Sequence, residues 1–380
     1  MRVVIAKKLL SSVGGSEAQA RALAAALRDR GHDLALVGVR PPWRRPGIPD
    51  EVYAAPRGDV RIERDGMIEH YIGAPFAAVE SLLPVSLVSS ARFAAAFRGA
   101  DVVHSIAREW AGPISRAARA AGAAFVETPL VHPGQALSGG SVADVARYRA
   151  ADAVIALTDW EAAWYRAHGV REVHVTGVGP ILDRVPEVAM DPATVLFVGR
   201  CERYKGYDAL RGAAPVVWRE RPDATFVIIG QRRFLGPSPL RDARWVERGV
   251  VGEAEKAEAY ARATIFAMPS EHETFGHTYL EAWLAGRPVI AGDIPPLREI
   301  VREGIDGLHA RNDPRAVADA ILALLRDPAR ARAMGAAGRA RAAERWSWPA
   351  IAERTEAAYA AAIARAHARG SRNAAERNPR

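Results

Sequence analysis

Short apolar runs alternate along the chain with longer segments whose apolar residues recur every three or four positions. Arg2–Ala6 reads as a buried strand. A glycine pair, Gly14-Gly15, follows it, then a helix from about Glu17 to Arg28 with Leu23 and Leu27 on one face. Gly31-His32 ends that helix, and Asp33–Val39 is the next strand. Val60–Arg64 and Met67–Tyr71 flank Asp65-Gly66, a two-residue hairpin signal. Asp101–Ile106, Ala123–Glu127, Ala153–Leu157 and Arg171–Val175 are further strands. Thr158-Asp-Trp-Glu161 is a capping box that opens a helix running to about His168.

Gly179 to Pro192 loses this periodicity and carries Pro180, Pro186 and Pro192, so it reads as a linker. A second series follows. Thr194–Val198, Ala224–Ile229, Thr264–Met268 and Pro288–Ala291 are its strands, with helices from about Gly206, Glu253 and Gly276. Helices near 313–326, 328–344 and 349–368 close the chain, and a polar stretch, 369–380, is expected to fray. Strands alternating with helices imply a parallel sheet covered on both faces. Two such series predict an α/β protein of two facing Rossmann-like domains, 1–185 and 186–347, with an interdomain cleft. Ligands of such sheets sit at the carboxyl ends of the strands.

Composition narrows the class. A chain that is 49% hydrophobic and 25% charged is neither disordered nor fibrous. A single cysteine, Cys201, excludes an intrachain disulfide. The longest uncharged, largely apolar stretch, Ser81 to Ala91, is shorter than the ~20 residues a membrane span requires. With a strand run at the very start in place of a leader pattern, the expectation is a cytoplasmic protein, at most peripheral on the inner membrane face. The net charge of +8 invites a nucleic-acid reading. Residues 1–190 and 191–360 each carry only +2, however, and residues 361–380 carry +4. Arg40-Pro-Pro-Trp-Arg-Arg-Pro46 is the one basic fragment with an interleaved aromatic, too short for a nucleic-acid stripe. Of 52 basic residues only Lys7, Lys8, Lys205 and Lys256 are lysine, which makes each of them informative.

The strand ends carry the chemistry. After Thr264–Met268 the chain reads Pro269-Ser-Glu-His-Glu273-Thr-Phe-Gly276-His-Thr-Tyr-Leu-Glu281-Ala. Phe275, Gly276 and His277 would present backbone N–H groups at a helix N-terminus, an anion site. Glu273 and Glu281 would repel a phosphate but accept hydrogen bonds from sugar hydroxyls. A sugar nucleotide carries both parts and reconciles the two. By spacing alone, a capped surface helix with solvated glutamates fits equally well. After Thr194–Val198 comes Gly199-Arg200-Cys-Glu-Arg-Tyr-Lys205-Gly206, where Arg200 and Lys205 can converge on one phosphate group. Gly14 and Gly15 would let backbone approach a ligand, although a tight turn explains them too. His132, in the loop Thr128 to Gly134, is a site candidate, while His104 lies within a strand and reads as core. Cys201 has no partner for nucleophilic chemistry. No C-x2-C, H-E-x-x-H or Asp-x-Asp spacing occurs, which argues against a divalent metal.

These motifs resemble the retaining GT-B glycosyltransferases of family four. The signature Glu-x7-Glu is Glu273 and Glu281 here, and Gly-Arg…Lys-Gly is Gly199-Arg200…Lys205-Gly206. Gly286-Arg-Pro-Val-Ile-Ala291, Glu299-Ile-Val, Gly304-Ile-Asp-Gly307, Ala151-Asp-Ala-Val154 and the Gly14-Gly15 loop extend the likeness over nearly the whole chain. Two places depart from the family pattern: Thr176-Gly-Val-Gly179 at the linker, and Pro295-Pro296 where a glycine pair is usual.

The resemblance implies a GT-B fold with an acceptor-binding N-terminal domain and a sugar-nucleotide-binding C-terminal one. Its final helix, 348–368, would cross back onto the N-terminal domain. It implies that Arg200 and Lys205 hold the donor diphosphate and stabilise its charge on departure. Glu281 would accept from the ribose hydroxyls and Glu273 from the donor sugar. Gly14, Gly15, Phe275, Gly276 and His277 would lie against phosphate or sugar, and His132 matches a histidine near the sugar. The expected activity is retaining hexosyl transfer to a hydroxyl acceptor (small molecule, glycan or lipid-linked) by a front-face route. No metal or other cofactor is expected, a UDP-sugar is favoured as donor, nucleic acid is not expected as a partner, and a peripheral membrane contact stays open. The rival readings are a sugar-nucleotide epimerase or hydrolase on the same architecture and a basic nucleic-acid-binding or membrane-surface protein.

Overall fold

The computed structural model describes residues 1–11, 14–54, 58–73, 90–132, 138–233 and 236–377, the last six without their side chains. Ser81 to Ser89 of the apolar stretch noted above lie outside them. The chain forms two compact units, one of residues 1–177 and 348–380 and one of residues 178–347.

The first unit is built on eight strands: β1 Arg2–Ala6, β2 Asp33–Val39, β3 Val60–Arg64, β4 Met67–Ile72, β5 Val102–Ile106, β6 Ala124–Thr128, β7 Ala153–Ala156 and β8 Val173–Val175. Their order is β3-β4-β2-β1-β5-β6-β7-β8, parallel throughout except for the β3–β4 hairpin. Asp65 (φ 53°) and Gly66 (φ 69°) turn that hairpin with both central residues left-handed, as the strand twist demands. Every residue of β5, β6 and β7 is buried, since helices cover both faces. Val4, Val103, Phe125 and Val154 meet Phe97, Ile114, Tyr148 and Tyr165 in this core.

The helix Trp348–Arg377 packs with this first unit. Glu356 accepts from Arg30 at 2.6 and 2.7 Å and lies 2.8 Å from His32 Nε2. Tyr359 lies 2.8 Å from Nδ1 of the buried His104, whose Nε2 lies 2.7 Å from the Thr128 hydroxyl. Burial lowers the His104 pKa to about 3, so this histidine is a neutral structural group. The helix continues to Arg377 instead of fraying after 368: Ala374, Ala375 and Glu376 are good helix formers, and no proline intervenes before Pro379.

The second unit has six parallel strands: β9 Thr194–Val198, β10 Thr225–Ile229, β11 Trp245–Gly249, β12 Ile265–Met268, β13 Val289–Gly292 and β14 Gly307–Ala310. Their order is β11-β10-β9-β12-β13-β14. The break in packing falls between Gly177 and Val178, earlier than the 185/186 boundary read from the sequence. Segment 178–191 is tied to the second unit: the Gly179 carbonyl bonds His277, and the Asp191 carbonyl accepts from the Thr264 hydroxyl at 2.7 Å. Pro295 and Pro296 open the short helix Pro295–Ile300, where a missing N–H costs nothing.

Strand order reverses once in each sheet, between β1 and β5 in the first unit and between β9 and β12 in the second. In doubly wound sheets this switch point is where the flanking loops splay apart and a ligand can enter. No helix of the described residues is long and apolar enough to cross a membrane.

Candidate functional site

The second switch point gathers the two strongest sequence motifs. The loop after β9 runs through Gly199 and Arg200 into a 3₁₀ turn, Arg203–Lys205, which ends at Gly206 in the left-handed region (φ 86°). A β-carbon at Gly206 would stand 2.5 Å from Pro269 Cγ and 2.8 Å from the Pro269 carbonyl oxygen. Only glycine lets this loop close on the loop that follows β12. The Glu271 N–H then bonds the Tyr204 carbonyl at 2.7 Å, fixing one loop to the other.

Lys205 Nζ donates to Glu273 Oε2 across these loops. The side chains are only 16% and 10% exposed, so water screens the pair little. The Tyr204 ring carries two cations: Arg200 Cζ lies 5.6 Å from its centroid and Lys205 Nζ 5.5 Å. The Arg200 guanidinium also donates to the Tyr204 hydroxyl while itself remaining exposed. One ring thus sets the spacing of both cations at the carboxyl edge of the sheet.

The helix His277–Leu284 starts from Gly276 (φ 91°), where a β-carbon would lie 2.5 Å from the Tyr279 ring. Its first N–H groups have no acceptor inside the helix. The Phe275 side chain does not face outward: it is 2% exposed and edge-on to Trp346 at 5.5 Å, so only its backbone can serve a ligand. His277 Nδ1–H donates to the Gly179 carbonyl at 2.8 Å, and burial lowers the pKa of the ring. Glu281 is 2% exposed, with Oε1 3.4 Å from Lys256 Nζ. Burial pushes its carboxyl pKa up, against a downward pull from Lys256 and the Tyr260 hydroxyl. Its second oxygen, Oε2, accepts no well-formed hydrogen bond among the described residues. Cys201 is buried with its thiol pushed up to about 11, an inert side chain.

Gly14, Gly15 and His132 belong to the first unit. Gly14 (φ 116°) caps the helix Gly15–Asp29 at the end of the β1 loop. The space its β-carbon would occupy holds the Glu17 carboxylate, which lies 3.4 Å from the buried Lys7 Nζ. The half-buried His132 follows β6, with its backbone N–H on the Ser138 hydroxyl at 3.0 Å; residues 133–137 lie outside the described set. Arg200, Lys205, Glu273, Gly276, His277 and Glu281 therefore share one switch point, and Gly14 and Gly15 follow the first strand of the other.

The sequence reading missed Tyr204, Lys256, Lys7 and Glu17. Lysine scarcity was the available signal for two of them, since Lys7, Lys205 and Lys256 each stand beside a glutamate here. Nothing in the sequence marks Tyr204 as the ring on which two cations rest.

Two α/β units built on parallel sheets of this kind are consistent with the GT-B fold. Residues 14–180 match the family described as "Glycosyl transferase 4-like domain" and residues 192–327 that described as "Glycosyl transferases group 1". The chain belongs to the GT-B glycosyltransferases of the family-four type. It is 34% identical over 190 residues to a D-inositol 3-phosphate glycosyltransferase of Segniliparus rotundus, covering 47% of this chain and 42% of that protein. It is equally 34% identical over 189 residues to a phosphatidyl-myo-inositol mannosyltransferase of Mycobacterium leprae, covering 47% of this chain and 50% of that one. The chain spans about half the length of the curated relatives it matches. Its fold is shared with a sucrose-phosphate synthase from Thermosynechococcus elongatus (TM-score 0.71, 21% identity, covering 96% of this chain and 100% of that one). It is likewise shared with Anabaena HepE in complex with UDP (TM-score 0.69, 16% identity, covering 94% and 98%).

Proposed function

We propose that this chain is a retaining glycosyltransferase that moves a hexosyl group from a nucleoside-diphosphate sugar to a hydroxyl acceptor without a metal ion. The observation that carries this reading is the Lys205–Glu273 pair, with Arg200 beside it on Tyr204, at the β9/β12 switch point. Lys205 and Arg200 would hold the diphosphate, the N–H groups from Phe275 to His277 would add hydrogen bonds, and Glu273 would accept from donor-sugar hydroxyls. Glu281 would accept from the ribose through Oε2. Gly14, Gly15 and His132 are assigned to the donor's sugar and phosphate side by family resemblance.

In the reaction the bond from the anomeric carbon to the β-phosphate oxygen breaks. The acceptor oxygen bonds to that carbon from the same face, and its proton passes to the departing phosphate. The configuration is retained. Negative charge grows on the β-phosphate, where preorganised cations stabilise the transition state more than the ground state. Glycosyl transfer is favoured over epimerisation or hydrolysis by family membership on both halves of the chain. UDP is the favoured nucleotide, supported by the fold shared with a UDP-bound protein. A polyol or lipid-linked acceptor is the favoured class, supported by the names of the two relatives, and a lipid-linked one would suit a peripheral membrane contact.

A thermal-shift panel of UDP, GDP and ADP in the presence of EDTA tests the nucleotide half of this reading. One of the three should raise the melting temperature of the wild type by mass action. No shift with any of them would remove its basis.

A further inference from the structure

Lys256 lies on the helix Glu253–Arg262 with its side chain 15% exposed. Its Nζ is 2.8 Å from Glu253 Oε2 and 3.4 Å from Glu281 Oε1. These two carboxylates differ in need. Glu253 is 68% exposed and is hydrated without help. Glu281, on the helix His277–Leu284, is 2% exposed and must keep its charge without water. The groups that act on it are Lys256 and the Tyr260 hydroxyl, which favour the charged form, and Glu253, which opposes it. Burial of a charge is tolerated when a partner compensates it.

The compensation is incomplete in an informative way. Oε1 faces the ammonium, while Oε2 is buried with no well-formed hydrogen bond among the described residues; the Tyr260 hydroxyl, likewise without one, stabilises the charge only from farther off. For packing alone, apolar side chains at 256 and 281 would leave fewer unmet polar atoms. A charged, half-satisfied carboxylate at a ligand-binding sheet edge is instead suited to receive a donor from outside the protein.

We propose that Lys256 is a positioning residue for the donor nucleotide: its ammonium holds the buried Glu281 carboxylate in the charged form, leaving Oε2 as a strong acceptor for a ribose hydroxyl. This rests on the reading of Glu281 as the ribose acceptor. The lysine does not touch the nucleotide; it acts through the glutamate. Without it, burial prevails over the remaining stabilisation, and Glu281 takes up a proton at a higher pH. A protonated carboxyl binds a hydroxyl less strongly than a carboxylate does.

The test is calorimetric titration of the full chain, wild type and Lys256→Met, over about pH 5.5 to 8.5. The probes are UDP, GDP and ADP with their 2′,3′-dideoxy counterparts. The wild type should prefer the ribose form of its nucleotide by about ten-fold or more. Lys256→Met should lose most of that preference and bind the dideoxy form as the wild type does, which also shows an intact fold. Its remaining preference should decline, as pH falls, from a higher pH than in the wild type. Lys256→Met with the wild-type preference and pH profile would overturn the proposal and leave the donor reading intact. Equal loss of both nucleotide forms would overturn it in favour of a merely structural lysine. A wild type that binds ribose and dideoxy forms equally would overturn the Glu281 reading, and the proposal with it.

Discussion

At the scale of single residues, the site depends on side chains that hold one another before any ligand arrives. Tyr204 offers one ring to Arg200 and Lys205, with both cations within 6 Å of its centroid. Each such contact contributes on the order of 0.5–2 kcal/mol. Tyr204→Ala should therefore weaken nucleoside-diphosphate binding by about ten-fold or more, and Tyr204→Phe, which keeps the ring, by less. Titration calorimetry on both variants checks this. Gly206→Ala should do more harm, since its β-carbon would meet Pro269 at 2.5 Å in a left-handed backbone. A loss of roughly 1–3 kcal/mol in denaturant unfolding is expected, together with weaker nucleotide binding. Arg200, Lys205, Glu273 and Glu281 could be read as candidates because each belongs to a short motif that follows a predicted strand. Tyr204 could not, because nothing in the sequence shows that its ring lies under both nearby cations, and Lys256 could not, because it meets Glu281 across 25 positions.

At the scale of elements, buried carboxylates set how the first unit responds to pH. Glu161 opens the helix Asp159–Ala167, takes hydrogen bonds from the Leu157 N–H (2.7 Å) and the Tyr165 hydroxyl (2.9 Å), and is fully buried. Desolvation raises its pKa from 4.5 to about 7. A raised carboxyl pKa means that the folded state binds the proton more tightly than the unfolded one. Its contribution is fully present below about pH 4.5 and is lost as pH rises through about 7. Glu161→Gln, which keeps an acceptor and cannot ionise, should flatten the fall in stability across that window, measured by urea unfolding. Glu356 has the opposite sign. Hydrogen bonds from Arg30, then from His32, hold its pKa at about 2, so the anchor of the C-terminal helix is intact above pH 4.5 and lost on strong acidification.

The central strands were legible because burial on both faces writes continuous apolar runs. The edge strands β11 (Trp-Val-Glu-Arg-Gly) and β14 (Gly-Leu-His-Ala) were not, being short, partly polar and paired on one side only. The domain boundary was displaced for a related reason: segment 178–191 has linker composition, yet its carbonyls are used by the second unit.

At the scale of the whole molecule, the first unit is discontinuous and the second is not. Residues 178–347 form one uninterrupted unit that contains Arg200, Lys205, Lys256, Glu273 and Glu281. Expressed alone, this segment should fold and bind the same nucleoside diphosphate as the full chain, which circular dichroism and calorimetry would check. Residues 1–177 alone should be poorly stable, because they would lose the buried Ile351, Ala352, Ala358, Tyr359 and Ala362 of the C-terminal helix. The charge distribution agrees with this division of labour. Half of the +8 lies in residues 361–380, so the pI says little about the proposed nucleotide site, to which Arg200 and Lys205 are assigned.

The central claim is that these two cations, with Glu273, carry glycosyl transfer from a nucleotide sugar. The most direct measurement is product analysis with a nucleotide sugar labelled in its hexose, in the presence of EDTA, across a panel of polyol and lipid-linked hydroxyl acceptors. The wild type should form a labelled glycoside whose anomeric configuration matches the donor. Lys205→Ala should remain folded and lose about 10²–10³ in turnover. A wild type that forms no glycoside from any donor, or a Lys205→Ala variant with undiminished turnover, would contradict the account.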